Sequence, residues 1–154
     1  MDEPIIRNLI EGDVEALAAC MRWQDELETR SATGMERRDV LRQSVAASSD
    51  VYAVEVDGAV VAIFGVAPCA LLSATASPWL LAGKGFPGAH AKTLLRESQY
   101  FVAQWLERFP ILENYVDARN TPSLRYLKSL GAVFDPPAPY GPYGTHFIRF
   151  EFRR

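Results

Sequence analysis

Residues 51–56 are mostly β-branched or aromatic, residues 59–66 form a second apolar run, and Asp57-Gly58 stands between them. An Asp-Gly pair reverses the chain in two residues because both positions tolerate positive φ, so this stretch predicts a β-hairpin. A hairpin in mid-chain means that the sheet around it contains antiparallel pairs, which argues against a purely parallel, doubly wound architecture. The chain has 154 residues, 49% of them hydrophobic, with a mean hydropathy of −0.04. That is the composition of one globular domain able to bury roughly two thirds of its unfolded surface.

Periodicity supplies the other elements. Ile5-Ile6-Arg7 is a short strand candidate, and from Asp13 the residues Val14, Leu17, Ala18 and Met21 follow the spacing of a helix that buries one face. A polar stretch follows. Thr33-Gly34-Met35-Glu36 has capping-box spacing and predicts a second helix over 35–47, burying Val40, Leu41 and Val45. After the hairpin, Pro68 and the small residues 73–77 read as a connection, and Trp79-Leu80-Leu81-Ala82 as a buried central strand. Leu94, Leu95, Phe101, Val102, Trp105, Leu106 and Phe109 recur at helical spacing up to Pro110, predicting a helix of roughly 18 residues. Residues 112–116 are the next strand. Thr121 as N-cap, Pro122 at the first helical position and Gly131 past the end bracket a helix over 122–130.

Residues 133–134 and 145–152 complete the strands. Between them, residues 136–144 hold Pro136, Pro137, Pro139 and Pro142 and are expected to form no ladder. They should be a semi-rigid surface loop, either at the lip of a binding cleft or simply joining two strands. The expected fold class is α/β, one domain over residues 1–154 with a mixed, mostly antiparallel central sheet of six to seven strands and four helices on its two faces.

The net charge of −3 is unevenly spread: residues 1–57 carry 13 acids and 6 bases, residues 58–154 carry 6 acids and 10 bases. Without a basic run this does not suit nucleic acid, but it suits a small polyanion such as a nucleotide cofactor. No apolar stretch approaches the ~18 residues of a membrane span, and Met1-Asp2-Glu3-Pro4 lacks the features of a secretion signal, so a cytoplasmic location is expected. Cys20 and Cys69 read as buried thiols. His90 and His146 lie far apart with no ligand spacing, so no metal is expected.

The segment Asn120-Thr121-Pro122-Ser123-Leu124-Arg125-Tyr126-Leu127-Lys128-Ser129-Leu130-Gly131 resembles the N-x-x-S-x-R-aromatic-L-x-x-L-G helix of the acyl-CoA N-acyltransferases, the GNAT family. The order of elements is similar too, as are Ile6-Arg7 followed by Gly12-Asp13, and Asp57-Gly58 followed by a strand. Within the second half, Leu112-Glu113-Asn114-Tyr115-Val116 and Asn120-Thr121 through Gly131-Ala132-Val133-Phe134 look like small GNAT-like proteins of short-tailed podophages, some of them internal virion proteins.

The resemblance implies a GNAT-like fold and CoA or acetyl-CoA as cofactor. It places the pantetheine arm in a gap between the fourth and fifth strands, at Leu81 and Ala82, with the pyrophosphate over the loop Gly83-Lys84-Gly85-Phe86-Pro87-Gly88. Helix N-termini suit such an anion. This loop departs from the family's Q/R-x-x-G-x-G/A pattern, so it is either a degenerate phosphate cradle helped by Lys84 and Lys92 or a flexible connection. Its G-x-G-x-x-G spelling is no dinucleotide fingerprint, because it follows an antiparallel hairpin. Asn120, Ser123 and Arg125 are further cofactor candidates.

For chemistry the candidates are Asn114, Ser123 and Tyr126, with Glu97, Glu113 and Asp117 as possible bases. Many family members carry a tyrosine acid where this chain has Leu127, so Tyr126 is expected on an adjacent face, as packing. Two functions are therefore open. One is an acyl-CoA-dependent acetyltransferase. The other is a catalytically inactive binding protein, a virion component or a modulator of a host enzyme. Either is a monomer or a homodimer.

Overall fold

A computed structural model describes residues 3–154; the Met1-Asp2 start lies outside them. In chain order the elements are β1 (Ile5–Asn8), α1 (Asp13–Cys20), α2 (Trp23–Thr33), α3 (Arg37–Ala47), β2 (Asp50–Val56), β3 (Ala59–Pro68), β4 (Thr75–Ala82), a 3₁₀ turn (Gly88–His90), α4 (Ala91–Arg108), β5 (Ile111–Asp117), α5 (Thr121–Ser129), β6 (Val133–Phe134), β7 (Ala138–Tyr140) and β8 (Thr145–Arg153). They build one eight-stranded sheet in the order β1-β2-β3-β4-β5-β8-β6, with β7 beside β6 along β8. Every pair is antiparallel except β4–β5.

The predicted hairpin forms, with Asp57 at φ 51° and Gly58 at φ 81° in its turn. Strand alternation then sorts the core into two layers. Val54, Ala62, Phe64, Val66, Leu112, Val116, Phe150 and Phe152 face α4, whose Leu94 and Trp105 complete that layer. Ile63 and Leu81 face the other way, against Leu17 and Ala18 of α1 and Val40 and Leu41 of α3. Full burial of a side chain such as Leu17 or Leu41 contributes about 1.5–3 kcal/mol.

Several expectations need correction. The polar stretch after α1 is itself a helix, α2, so the described residues form five α-helices rather than four. Its buried residues are Asp25, Thr29 and Ser31, which give no apolar stripe to read. Thr33 ends α2 instead of capping α3. Its hydroxyl donates to the Thr29 carbonyl (2.7 Å) and accepts the Met35 N–H (3.1 Å), and Glu36 starts α3 without a side-chain cap. The N-cap of α5 is Asn120 rather than Thr121, its side chain accepting the Ser123 N–H at 3.3 Å. The proline-rich segment does form a ladder, because β7 pairs on one side only, where Pro139 can be tolerated. The small residues 75–77 belong to β4, where Ala76 is fully buried. Cys69 is exposed and Cys20 half-buried, so neither is the expected buried thiol. No helix among the described residues is long and apolar enough to cross a membrane.

Candidate active site

Strands β4 and β5 pair only at Thr75–Ile111 and Ala76–Leu112, and then diverge. Pro78 marks the point of divergence. The Gly83 N–H bonds the Val61 carbonyl, so alternation turns the peptide groups of residues 78, 80 and 82 towards β5. A proline there removes a donor that no strand would receive. The Pro78 carbonyl is taken by Asn114 Nδ2 from across the gap (2.9 Å), and Asn114 Oδ1 accepts the Tyr115 N–H (2.8 Å). Asn114 thus ties the two strands where their backbones no longer pair.

A cavity of about 400 Å³ passes through the sheet at this gap. On one face it is lined by Glu28, Thr29 and Thr33 of α2, Val40 and Ser44 of α3, and Trp79, Tyr115 and Tyr140. On the other it is lined by Leu94, Glu97, Ser98 and Phe101 of α4 and by Ser123, Tyr126, Leu127 and Leu130 of α5.

The wide end of the gap is closed by the α1–α2 elbow. Met21 bridges Gly83, the Arg22 N–H donates to the Ala82 carbonyl (2.9 Å), and the Lys84 N–H donates to the Cys20 carbonyl (3.0 Å). Asp25, 1% exposed, accepts the Ala82 N–H at 2.8 Å. Its Oδ2 also lies 2.8 Å from Arg22 Nε, an ion pair formed off the line of that N–H. Burial raises Asp25 above the usual carboxylate range, against the pull of Arg22. The Arg22 guanidinium reaches on to the Phe86 carbonyl (3.3 Å) and lies 5.9 Å from the centre of the Phe86 ring.

Glu28, one turn further along α2, accepts the Asp117 N–H at 2.7 Å and the Asn120 side-chain amide at 3.4 Å. Burial pushes its carboxyl up to about 7, and the nearby carboxyls of Asp25 and Asp117 add to the rise. Asp117 behaves differently: burial would raise it, but two hydrogen bonds from the Arg119 side chain (3.0 and 2.7 Å) hold it below the usual range. Tyr126 is pushed up by burial and stays protonated at neutral pH, its hydroxyl against Ser98 Oγ.

Of the sequence candidates, Asn114, Ser123 and Tyr126 meet at this cavity, and Tyr126 and Leu127 both line it. Tyr126 and Leu127 take adjacent faces of α5, as helix geometry requires, and the cavity is broad enough to meet both. Leu81 lines the cavity with its side chain, yet its peptide faces Ile63 of β3, and both Ala82 peptide groups are bonded to the elbow. Leu80, not Leu81 or Ala82, presents its peptide to the gap. The amides of Gly83 and Lys84 bond Val61 and Cys20, leaving Gly85 and Gly88 as the open positions of the loop, with φ of 79° and 55° and no atom within 4 Å of a built Cβ. Asn120 reaches the site through Glu28. Arg125 is exposed and outside the lining. Glu113 is ion-paired to Arg149.

Glu28, Arg22, Asp25 and Ser98 were missed. For Asp25 and Glu28 the signal was a helix-length segment, residues 23–33, without an apolar stripe; Arg22 and Ser98 lie outside it.

The architecture is that of the GNAT N-acetyltransferases: a mostly antiparallel sheet, splayed at its one parallel pair, with helices on both faces. A ribosomal-protein-alanine N-acetyltransferase from Brucella melitensis matches at a TM-score of 0.71 and 20% identity, covering 97% of this chain and 99% of its own. An N-acetyltransferase from Staphylococcus aureus Mu50 matches at 0.72 and 16%, covering 99% of each chain. The Vibrio cholerae spermidine N-acetyltransferase, solved with CoA and spermine, matches at 0.68 and 13%, covering 98% and 95%. No family model matches the chain, and no curated protein sequence matches it.

Proposed function

We infer that this protein is an acyl-CoA-dependent N-acyltransferase acting on an amine, with Glu28 as base and Tyr126 as proton donor. One observation carries the reading: a cavity runs through the sheet at the splay, with a carboxyl of pKa about 7 on one wall and a protonated phenol on the opposite one. Two titratable groups whose environments suit them to opposite proton transfers are the expected signature of acid–base chemistry.

The residues that would hold the donor are Leu80, through its gap-facing peptide, and the loop 83–88 ahead of α4. Bound acyl-CoA supplies a thioester carbonyl carbon open to attack. Glu28 removes one proton from the ammonium of the acceptor, freeing the nitrogen lone pair to form the C–N bond. Tyr126 donates its proton to the sulfur, which keeps the electron pair of the broken C–S bond. The amide nitrogen loses its second proton through water, which restores the phenol. Proton donation of this kind contributes typically 10²–10⁴-fold to rate.

A second reading is favoured by a specific observation. The elbow already occupies both peptide groups of Ala82, and the loop lacks the family's pattern, as suits a GNAT-fold binding protein without turnover. The likeness to podophage proteins, and with it a virion or host-enzyme partner, rests on residues 112–116 and 120–134 of the sequence. One experiment separates the readings: thermal melts with CoA and acetyl-CoA, followed by acetyl transfer to amines, on the parent and on Tyr126→Phe. Ligand at a hundredfold excess over Kd should stabilise both proteins by about 2.7 kcal/mol. Turnover should fall 10²–10⁴-fold in Tyr126→Phe alone. Stabilisation without turnover in the parent selects the binding protein, and no stabilisation at all rejects both.

A further inference from the structure

On the α2 face the cavity wall is aromatic. The Tyr115 and Tyr140 rings stack with centroids 4.1 Å apart and planes 12° from parallel, and Tyr140 meets Phe147 at 5.3 Å and 55°. All three line the cavity. They come from three different strands, β5, β7 and β8. The β7–β8 turn is seated on the end of α2, where a Cβ on Gly141 would lie 2.6 Å from the Ser31 carbonyl. The wall is therefore fixed against the helix that carries Glu28.

The charges on the same side are almost all neutralised. Arg22 holds Asp25, Arg119 holds Asp117, and Arg30 and Arg37 hold Glu26. Glu28 is the carboxyl that α2 turns into the cavity without a basic partner among the described residues. A polyamine would need a second free carboxylate, and a free amino acid would need a free cation. The lining of this face presents neither: its charged side chains are Glu28 and Arg22, and Arg22 is held by Asp25.

We propose that the acceptor is a small monoamine bearing an aromatic ring, an arylalkylamine whose ring lies on the Tyr115–Tyr140–Phe147 wall and whose ammonium meets Glu28. Ring stacking on the wall and the charge pair with Glu28 both act on such a ligand, and neither depends on turnover. The proposal rests on reading this face as the acceptor side of an acyltransferase, yet the amine site is measurable by itself.

The test is isothermal titration at pH 8 of the protein, free and CoA-saturated, with phenethylamine, cyclohexylethylamine and spermidine. Phenethylamine is expected to bind at least about tenfold more tightly than spermidine and several-fold more tightly than its saturated analogue, the difference that aromatic contacts supply. Tyr140→Ala should remove that advantage. Tyr140→Leu, which keeps apolar volume, controls for loss of the β7–β8 packing and should remove the preference for phenethylamine over cyclohexylethylamine. Equal or tighter spermidine binding, an unchanged aromatic preference in Tyr140→Leu, or no amine binding in either state overturns the proposal. CoA stabilisation without phenethylamine binding sinks this inference alone, whereas phenethylamine binding without CoA stabilisation sinks the acyltransferase reading and leaves the amine site standing.

Discussion

In the proposed reaction, Glu28 couples stability to chemistry. Its carboxyl stands at about 7 in the folded protein against an ordinary value of 4.5, so between these values the native state holds a proton that the unfolded chain releases. The stability associated with that proton is fully present below pH 4.5 and is lost as pH rises through 7. The loss approaches about 3 kcal/mol, at ~1.4 kcal/mol per pH unit. Glu28→Gln keeps an acceptor for the Asp117 N–H and removes the charge. Its melting temperature should exceed the parent's at pH 8 and draw level at pH 4.5, while acetyl transfer falls 10²–10⁴-fold. An advantage of equal size at both pH values would show that the carboxyl is not titrating in this window. In the parent, kcat/KM should rise with pH through about 7 as Glu28 ionises.

At the scale of elements, α2 and the β7–β8 turn are what the linear pattern did not reveal, and they support each other. A helix normally declares itself by an apolar stripe, but α2 buries Asp25, Thr29 and Ser31, which meet the Ala82 N–H, the Glu26 carbonyl and the Arg119 side chain rather than an apolar core. The turn is held to it by Gly141, which has φ of 80° and whose Cβ position lies 2.6 Å from the Ser31 carbonyl and 2.9 Å from that of Ala32. Gly144 has φ of 66° with nothing within 4 Å. Gly144→Ala should therefore cost only the left-handed backbone penalty, about 1–2 kcal/mol. Gly141→Ala adds a clash with two immobile carbonyls and should cost clearly more, lifting the turn and weakening amine binding through Tyr140. Paired urea melts decide: equal losses in the two variants would mean that the turn does not bear on α2.

For the whole molecule, the decisive feature is a sheet that stays continuous while opening in its middle. Strands β4 and β5 are joined by two residue pairs and then by one side chain, Asn114, bonded to Pro78. Asn114→Ala leaves the Pro78 carbonyl facing the gap, a loss of about 0.5–1.5 kcal/mol for one part-buried hydrogen bond. Hydrogen exchange should quicken at residues 79–82 and 115–117 and remain unchanged along β2 and β3. Uniform acceleration across the sheet would mean that Asn114 supports global stability instead of the splay.

Much of this was legible in the amino-acid order, because hairpins, apolar stripes and helix ends are local: Asp57-Gly58, the Leu94-to-Trp105 stripe of α4 and the Pro122–Gly131 bracket of α5 each involve neighbours in sequence. The site is another matter. Glu28 has a raised pKa because the folded chain buries it, against the pull of the Asp117 N–H and the Asn120 amide that it accepts from 89 and 92 residues away in the chain. Tyr115, Tyr140 and Phe147 form a wall only because β5, β7 and β8 lie side by side. Local propensity determines which segments become helices and strands, whereas burial and electrostatics depend on what the folded chain brings together, so the chemistry of this protein was decided by its tertiary structure.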